Sequence, residues 1–343
     1  MSVPATMLAV QASAPGSADA LRSVRVPVPR PGPGQVLLRV EAASVNFSDV
    51  KRRRGDVYPF ATDWPYVPGG EVAGTVAACG EGVESLAAGT PVFGLAGFDG
   101  RGGYAQYALA VAAQVNPIPP GLDAARASVL VIAGGTAMLL VREAGRLAAG
   151  ETVLIPAAAG GVGHYAVQIA RRLGAKLVIA GASSPAKAQA ALANGAHVSV
   201  DETRESWADE VLRATDGAGV DLLLESSGGV VLAQGLRALA PFGRAVVYGA
   251  ASGHAATLGA ADLEHLLYAP ARNQSLAAFN LGGWFMARPQ AAGAALGELI
   301  GAVLSGAITT PPITTLPLAQ AAEAHRRLEV RQVTGKIVLD PWA

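Results

Sequence analysis

Cysteine occurs once in 343 residues, at Cys79. A single thiol excludes an intramolecular disulfide and any cysteine-rich metal site. Following a β-prone run and preceding Gly80, it is expected to be a small buried apolar residue. Charge is scarce as well, at 15% of residues against about 25% in an average globular domain. Lys+Arg and Asp+Glu both number 26, so bulk attraction to nucleic acid is excluded. Lysine is the rarer base: only Lys51, Lys176, Lys187 and Lys336 are present, and each invites a reason. Aromatics are 5%. Long apolar runs are missing too. The longest, Val129–Val141, is interrupted by Gly134 and Gly135 and bounded by Arg126 and Arg142. It falls short of the about 20 residues a bilayer requires, so a buried element is expected and no membrane partner. Met1-Ser2-Val3-Pro4 shows no basic region before an apolar stretch, so no signal peptide is expected and the location is read as cytoplasmic. Neither Gly-x-Ser-x-Gly nor His-Glu-x-x-His occurs, which disfavours hydrolase chemistry.

What is abundant is small and apolar: 51% hydrophobic residues, much of it alanine, with 42 glycines. The length suggests two domains. Residues 1–125 alternate β-prone runs (Ser23–Val28, Gln35–Glu41, Glu71–Ala78, Tyr104–Leu109) with Pro/Gly clusters, as a small barrel or sandwich does. From residue 126 strands and helices alternate. Thr152–Ile155, Leu177–Ala180, Asp221–Leu224 and Ala245–Tyr248 read as strands buried on both faces. Val162, Ala166, Ile169, Ala170 and Leu173 share a helix face that Gly174 ends, and Ser184-Pro185 opens a further helix. The pattern predicts an α/β domain with a parallel sheet of the dinucleotide-binding kind. After Asn280 an alanine-rich helix and proline-punctuated extended segments follow, ending in Lys336–Leu339.

Thr152–Ile155 runs into Pro156-Ala157-Ala158-Ala159-Gly160-Gly161-Val162-Gly163 and then a helix. Strand, small-residue turn and helix N-terminus together form a pyrophosphate cradle. Ala157 stands where the usual pattern has its first glycine, which is acceptable if its φ stays negative. An NAD site would place an acid about 20 residues beyond the turn. Here the stretch reads Ala180-Gly181-Ala182-Ser183-Ser184-Pro185-Ala186-Lys187. Two hydroxyls and an ammonium suit a 2′-phosphate, so the cofactor is predicted to be NADPH.

Taken together, Ala157–Gly163, Gly102-Gly103-Tyr104-Ala105-Gln106-Tyr107, Pro65-Tyr66-Val67-Pro68-Gly69, Gly217-Ala218-Gly219-Val220-Asp221 and Thr334-Gly335-Lys336-Ile337-Val338 resemble the medium-chain dehydrogenase/reductase superfamily. Within it they are similar to the zinc-independent quinone oxidoreductase (zeta-crystallin-like) branch. The resemblance implies a doubly wound Rossmann sheet over 126–282 and a discontinuous GroES-like β-barrel domain over 1–125 and 283–343. It also implies a homodimer. Zinc-dependent relatives have Cys in place of Asn46 and Gly-His-Glu in place of Gly69-Gly70-Glu71. They also carry a four-cysteine lobe where this chain passes to Gly102-Gly103. His164, His197, His254, His265 and His325 show no ligand spacing, so no metal is expected.

The implied chemistry is hydride transfer from NADPH to a quinone or to the C=C bond of an α,β-unsaturated carbonyl compound. Alternatives are an enoyl reductase acting on polyketide-like or thioester intermediates, or a non-catalytic NADPH-binding protein. The resemblance places Asn46 beside nicotinamide and substrate, with Asp49 as a supporting neighbour. It places Thr136 under the ring and Tyr58 as a proton donor, although Gly55-Asp56-Val57-Tyr58 is one residue longer than the common spacing. Further cofactor positions are Ala159, Gly160, Gly161, Val162, Gly163, Ser183, Ser184, Lys187, Ser226, Gly249 and Phe279. Arg331 matches a C-terminal arginine that reaches the 2′-phosphate in some relatives. Those relatives have a tyrosine where this chain has Asp201-Glu202, an acid that either weakens the site or points to solvent. The one charge run, Lys51-Arg52-Arg53-Arg54, reads as a solvated helix face, or else as a docking patch for an anionic carrier.

Overall fold

The computed structural model of the chain describes residues 3–251, 258–269 and 272–343. They form two compact units, Met1–Ile132 with Pro312–Ala343, and Ala133–Pro311. In the first unit β1 (Thr6–Ala12) and β2 (Leu21–Pro27) pair antiparallel. Then come β3 (Gln35–Ser44), α1 (Phe47–Arg54), β4 (Glu71–Cys79), β5 (Pro91–Leu95), β6 (Tyr107–Val111), β7 (Val115–Pro117) and α2 (Ala124–Ala127).

The second unit carries α3 (Gly135–Met138), β8 (Thr152–Ile155), α4 (Gly161–Arg172), β9 (Leu177–Ala182), α5 (Pro185–Ala193), β10 (Val198–Asp201) and α6 (Trp207–Ala214). It continues with β11 (Val220–Glu225), α7 (Val230–Arg237), β12 (Leu239–Val247), α8 (Ala260–Tyr268), β13 (Ser275–Ala278), α9 (Leu281–Ala287) and α10 (Pro289–Leu304). The chain then returns to the first unit with β14 (Ile313–Pro317), α11 (Ala321–Glu329) and β15 (Lys336–Asp340).

The second unit's sheet runs β10-β9-β8-β11-β12-β13, all parallel. Every residue of β8 is buried, and β11 is nearly so, because helices cover both faces. The chain moves outward from β8 to β10 and then crosses back to β11. The crevice at the C-terminal ends of β8 and β11 is therefore the switch point where such sheets bind ligands. The first unit's sheet runs β14-β15-β3-β4-β5-β7, with β6 also on β3. Val36, Leu38, Val40, Val72, Val76, Val92, Ile337 and Leu339 fill its core.

Several expectations change. Residues 126–132 stay with the first unit and 283–311 join the second, because α10 packs on α3, where Gly134 leaves room for Leu299. The segment after Asn280 holds two helices, α9 and α10, and α11 interrupts the extended tail. The Val129–Val141 run lies in a longer helical stretch, Ala124–Ala144, which is long and apolar enough to cross a membrane. The short apolar run is thus no argument against a span; burial of 78% of its apolar window within the protein is. Cys79 is exposed at the end of β4 rather than buried. His254 lies outside the described residues.

Candidate active site

In the second unit Ile155 delivers the chain into the turn, and Gly160 caps α4 in extended geometry. A Cβ on Gly163 would stand 2.5 Å from the Ala157 carbonyl oxygen and 2.6 Å from Ala158 Cα. Backbone packing therefore requires glycine there, and the amides at the start of α4 stay open to a pyrophosphate. Ala157 itself has φ +50°, not the negative value expected. Its N–H donates to Glu202 Oε2 at 2.9 Å, and the next N–H, of Ala158, donates to the Gly181 carbonyl at 3.0 Å. Two hydrogen bonds thus hold the turn in the left-handed region. Glu202, just past β10, is buried beneath the turn and does not point to solvent. No local pattern around it signals that position.

The end of β9 lies along the same edge of the sheet. Ser184 caps α5, accepting from the Lys187 N–H at 3.4 Å, and Lys187 Nζ donates to Ser183 Oγ at 3.3 Å. Further along that edge, Ser226 follows β11 beside Tyr248, whose hydroxyl burial pushes up to about 12, and the Tyr248 N–H donates to the Glu225 carbonyl. Gly249 sits against the Ser226 backbone. Phe279 follows β13, donates its N–H to the Val247 carbonyl and stacks on Trp284. Thr136 is buried in α3. The helical winding on either side widens, as Gly145 N–H donating to the Leu140 carbonyl at 2.7 Å shows. Such widened turns recur at functional sites.

The first unit holds a buried polar cluster where β3 passes into α1. Asn46 caps α1, and its N–H donates to Asp49 Oδ2 at 2.8 Å. Asp49 Oδ1 accepts the Gly69 and Gly70 N–H groups, both at 3.2 Å. Glu71 Oε1 accepts the N–H groups of Val131 at 2.7 Å and Ile132 at 3.0 Å. Lys336 Nζ donates to the Val45 carbonyl at 2.8 Å and to Asn46 Oδ1 at 2.6 Å. Burial pushes the Asp49 carboxyl up to about 6 and the Glu71 carboxyl up to about 7, although Lys336 and backbone N–H groups pull both down. The same burial lowers Lys336, against the attraction of the two carboxylates.

Tyr104 extends the cluster. Its hydroxyl is 3.4 Å from Asp49 Oδ2 and 3.1 Å from His325 Nε2. Burial drives Tyr104 well above its ordinary value and His325 down to about 3, so both are neutral near pH 7. Tyr58 lies beyond Gly55, which ends α1 at φ +81°. Burial raises the pKa of the Tyr58 hydroxyl. The Arg52 guanidinium lies 4.9 Å from the ring centres of both Tyr58 and Tyr66.

The charge run is not a solvated face. Arg52 and Arg53 are buried. Arg52 donates to Asp99 Oδ2 at 2.8 Å, to the Asp99, Gly100 and Ala61 carbonyls, and to Thr62 Oγ1. Arg53 pairs with Glu329. These bonds leave no two-arginine patch for an anionic carrier.

Residues 32–120 match the alcohol dehydrogenase GroES-like domain, and residues 161–290 match the zinc-binding dehydrogenase family. The chain is 34% identical to a 2-haloacrylate reductase of Burkholderia sp, over 93% of this chain and 94% of that protein. The chain belongs to the medium-chain dehydrogenase/reductase superfamily. It is also 36% identical, over 96% of its length, to a segment of a phenolphthiocerol/phthiocerol polyketide synthase of Mycobacterium tuberculosis. There it spans only 14% of the relative. Its structure superposes on the Escherichia coli quinone oxidoreductase complexed with NADPH at a TM-score of 0.89, with 27% identity, covering 97% of this chain and 100% of that one.

Within this medium-chain dehydrogenase/reductase, the structure groups Asn46, Asp49 and Tyr58 in the first unit. It groups Ala159–Gly163, Ser183, Ser184, Lys187, Ser226, Gly249 and Phe279 along one sheet edge in the second. Arg331 belongs to the first unit, just past α11, at φ +54°. Zinc, implied by one family description, does not fit these residues. Among the described residues no three His, Cys, Asp or Glu side chains gather as ligands. Instead an ammonium already sits on Asn46, and it would repel a second cation. Glu71, Lys336, Tyr104 and His325 joined the cluster unforeseen. Lys336 was signalled by the rarity of lysine, and Tyr104, Glu71 and Lys336 by the motifs they stand in, but nothing local joined them to Asn46.

Proposed function

We propose that the chain is an NADPH-dependent oxidoreductase that reduces a quinone or the C=C bond of an α,β-unsaturated carbonyl compound without a metal. The observation that carries this reading is the end of β9, where Ser183, Ser184 and Lys187 meet, where residues 180–187 include no acid, and where the neighbouring Glu202 carboxylate is taken up by the Ala157 N–H. The quinone oxidoreductase and haloacrylate reductase relatives support the acceptor class. When bound, NADPH supplies a hydride from C4 of its nicotinamide. The turn amides and the α4 dipole bind the pyrophosphate, and Ser183, Ser184 and Lys187 bind the 2′-phosphate. Asn46 orients the acceptor oxygen through its amide. Tyr58, a phenol protonated at neutral pH whose pKa burial raises further, holds the proton that the reduced acceptor takes up.

The test is NADPH oxidation with quinones, enals, enones and enoyl thioesters. Acceptor-dependent oxidation by at least one class is expected, and its absence from all four removes the reading. Charge-assisted hydrogen bonds of about 1.5–3 kcal/mol each give NADPH an affinity at least about a hundredfold above NADH; comparable affinities would defeat the assignment. The likeness to a polyketide synthase segment favours a second reading, an enoyl thioester reductase, which the fourth acceptor class distinguishes. A homodimer follows from the same family reading, and the exposed edge strand β13 suits pairing with a second copy.

A further inference from the structure

The Asn46 amide is held unevenly. Its Oδ1 takes a 2.6 Å bond from Lys336 Nζ. Its Nδ2 makes two long bonds, 3.4 Å to the Ser44 carbonyl and 3.5 Å to Glu71 Oε2. Only an oxygen can accept from an ammonium, so the cation fixes which end of the amide is which. The bond is charge-assisted and short, the kind that resists rotation. Those to Nδ2 lie at the limit of hydrogen bonding and exchange readily for a better acceptor.

Lys336 is anchored in turn. It opens β15, its N–H donates to the Pro312 carbonyl at 2.9 Å, and Gly335 before it has φ +76° with no room for a Cβ beside Pro312. Its second donor is spent on the Val45 carbonyl. Glu71, on the far side of the amide, is pinned by two backbone N–H groups. The amide therefore stands between a fixed cation and a fixed carboxylate.

We propose that Lys336 is a positioning residue that clamps Asn46 Oδ1 and so presents Nδ2 as the hydrogen-bond donor for the acceptor's oxygen. This rests on the reading of Asn46 given above, and the test separates the two. With Asn-selective ¹⁵N labelling, the Asn46 side-chain NH₂, assigned by its loss in Asn46→Ala, is expected to give two sharp proton resonances. In Lys336→Met they broaden or merge; unchanged resonances overturn the clamp whether or not the protein turns over any acceptor.

In kinetics, Lys336→Met is expected to lower kcat ten- to a hundredfold while the NADPH Kd stays within threefold. Adding Lys336→Met to Asn46→Ala is expected to change kcat by less than twofold. Losses that multiply, or a wild-type kcat in Lys336→Met, overturn the proposal. Lys336→Arg keeps a cation and several donors, and covers the case in which Lys336→Met does not fold. Sharp resonances with kcat within about fivefold of wild type support the clamp, and a collapsed kcat with sharp, unmoved resonances overturns it. If none of the four acceptor classes supports NADPH oxidation by the wild-type protein, the functional reading falls and the resonance arm alone decides Lys336.

Discussion

Ala157 sits in the left-handed region, φ +50°, where a Cβ costs about 1–2 kcal/mol. Ala157→Gly relieves that strain and gives back part of it as unfolded-chain entropy. The expected net is a stabilisation of about 1 kcal/mol, read as a raised urea midpoint with an unchanged slope; a lowered midpoint contradicts the strain. Gly163→Ala drives a methyl into backbone and is expected to weaken NADPH binding more than tenfold in a fluorescence titration. Glu71 sets a pH dependence. Its carboxyl titrates at about 7 when folded, against 4.5 ordinarily, so the folded chain keeps a proton the unfolded chain has released. Its stabilisation is complete below pH 4.5 and is lost as pH rises through 7, by about 3 kcal/mol. His325 acts with the opposite sign, its contribution fading as pH falls from 6.5 toward 3. Asp49, raised to about 6, adds a decline of the same sign below that pH, so Glu71→Gln is expected to make the slope of Tm between pH 4.5 and 7.5 less negative than in the wild type. An unchanged slope would contradict the assignment.

At the scale of elements, α1 joins two arginines of opposite consequence. Arg52 satisfies its guanidinium on five acceptors. Replacing it by Met leaves the Asp99 carboxylate with Arg101 alone and four further acceptors without this donor, and is expected to cost about 3 kcal/mol by urea unfolding. Arg53 meets Glu329, but its Nε and Nη1 have no partner among the described residues. Arg53→Met is expected to cost about 1 kcal/mol or less, since an apolar group of similar size loses little there. The contrast shows where sequence reading stops. The strand–turn–helix at 152–172 was legible because its determinants are contiguous: four apolar residues, a small-residue turn and a helical face. The run at 51–54 was not, because the partners that bury it come from residues 61–62, 99–100 and 329. Asn46 was legible only through resemblance; the lysine that holds it comes from 290 positions away. Ala157 was legible in identity but not in φ, which depends on Glu202.

At the scale of the whole molecule, β13 is an edge strand with every residue exposed, and Leu276 is 42% exposed. Unpaired strand edges invite pairing with another chain. Light scattering is expected to show a dimer, and a proline at Leu276, whose N–H faces the open edge because that of Phe279 faces β12, is expected to give monomers. A dimer unaffected by that proline would place its contact elsewhere. The discontinuity of the first unit bears on how the protein is made. Residues 312–343 leave the ribosome after all of the second unit, yet β15 lies between β14 and β3 in the first unit's sheet. The parallel sheet, though encoded later than β3, has all its strands available first. Nascent chains arrested with residues up to 311 outside the exit tunnel are therefore expected to resist protease across β8 to β12 while β3 and β4 remain cleavable. Folding is thus expected to proceed from the inside of this sequence outward, and the Asn46 amide acquires its lysine only after every strand of the parallel sheet has emerged.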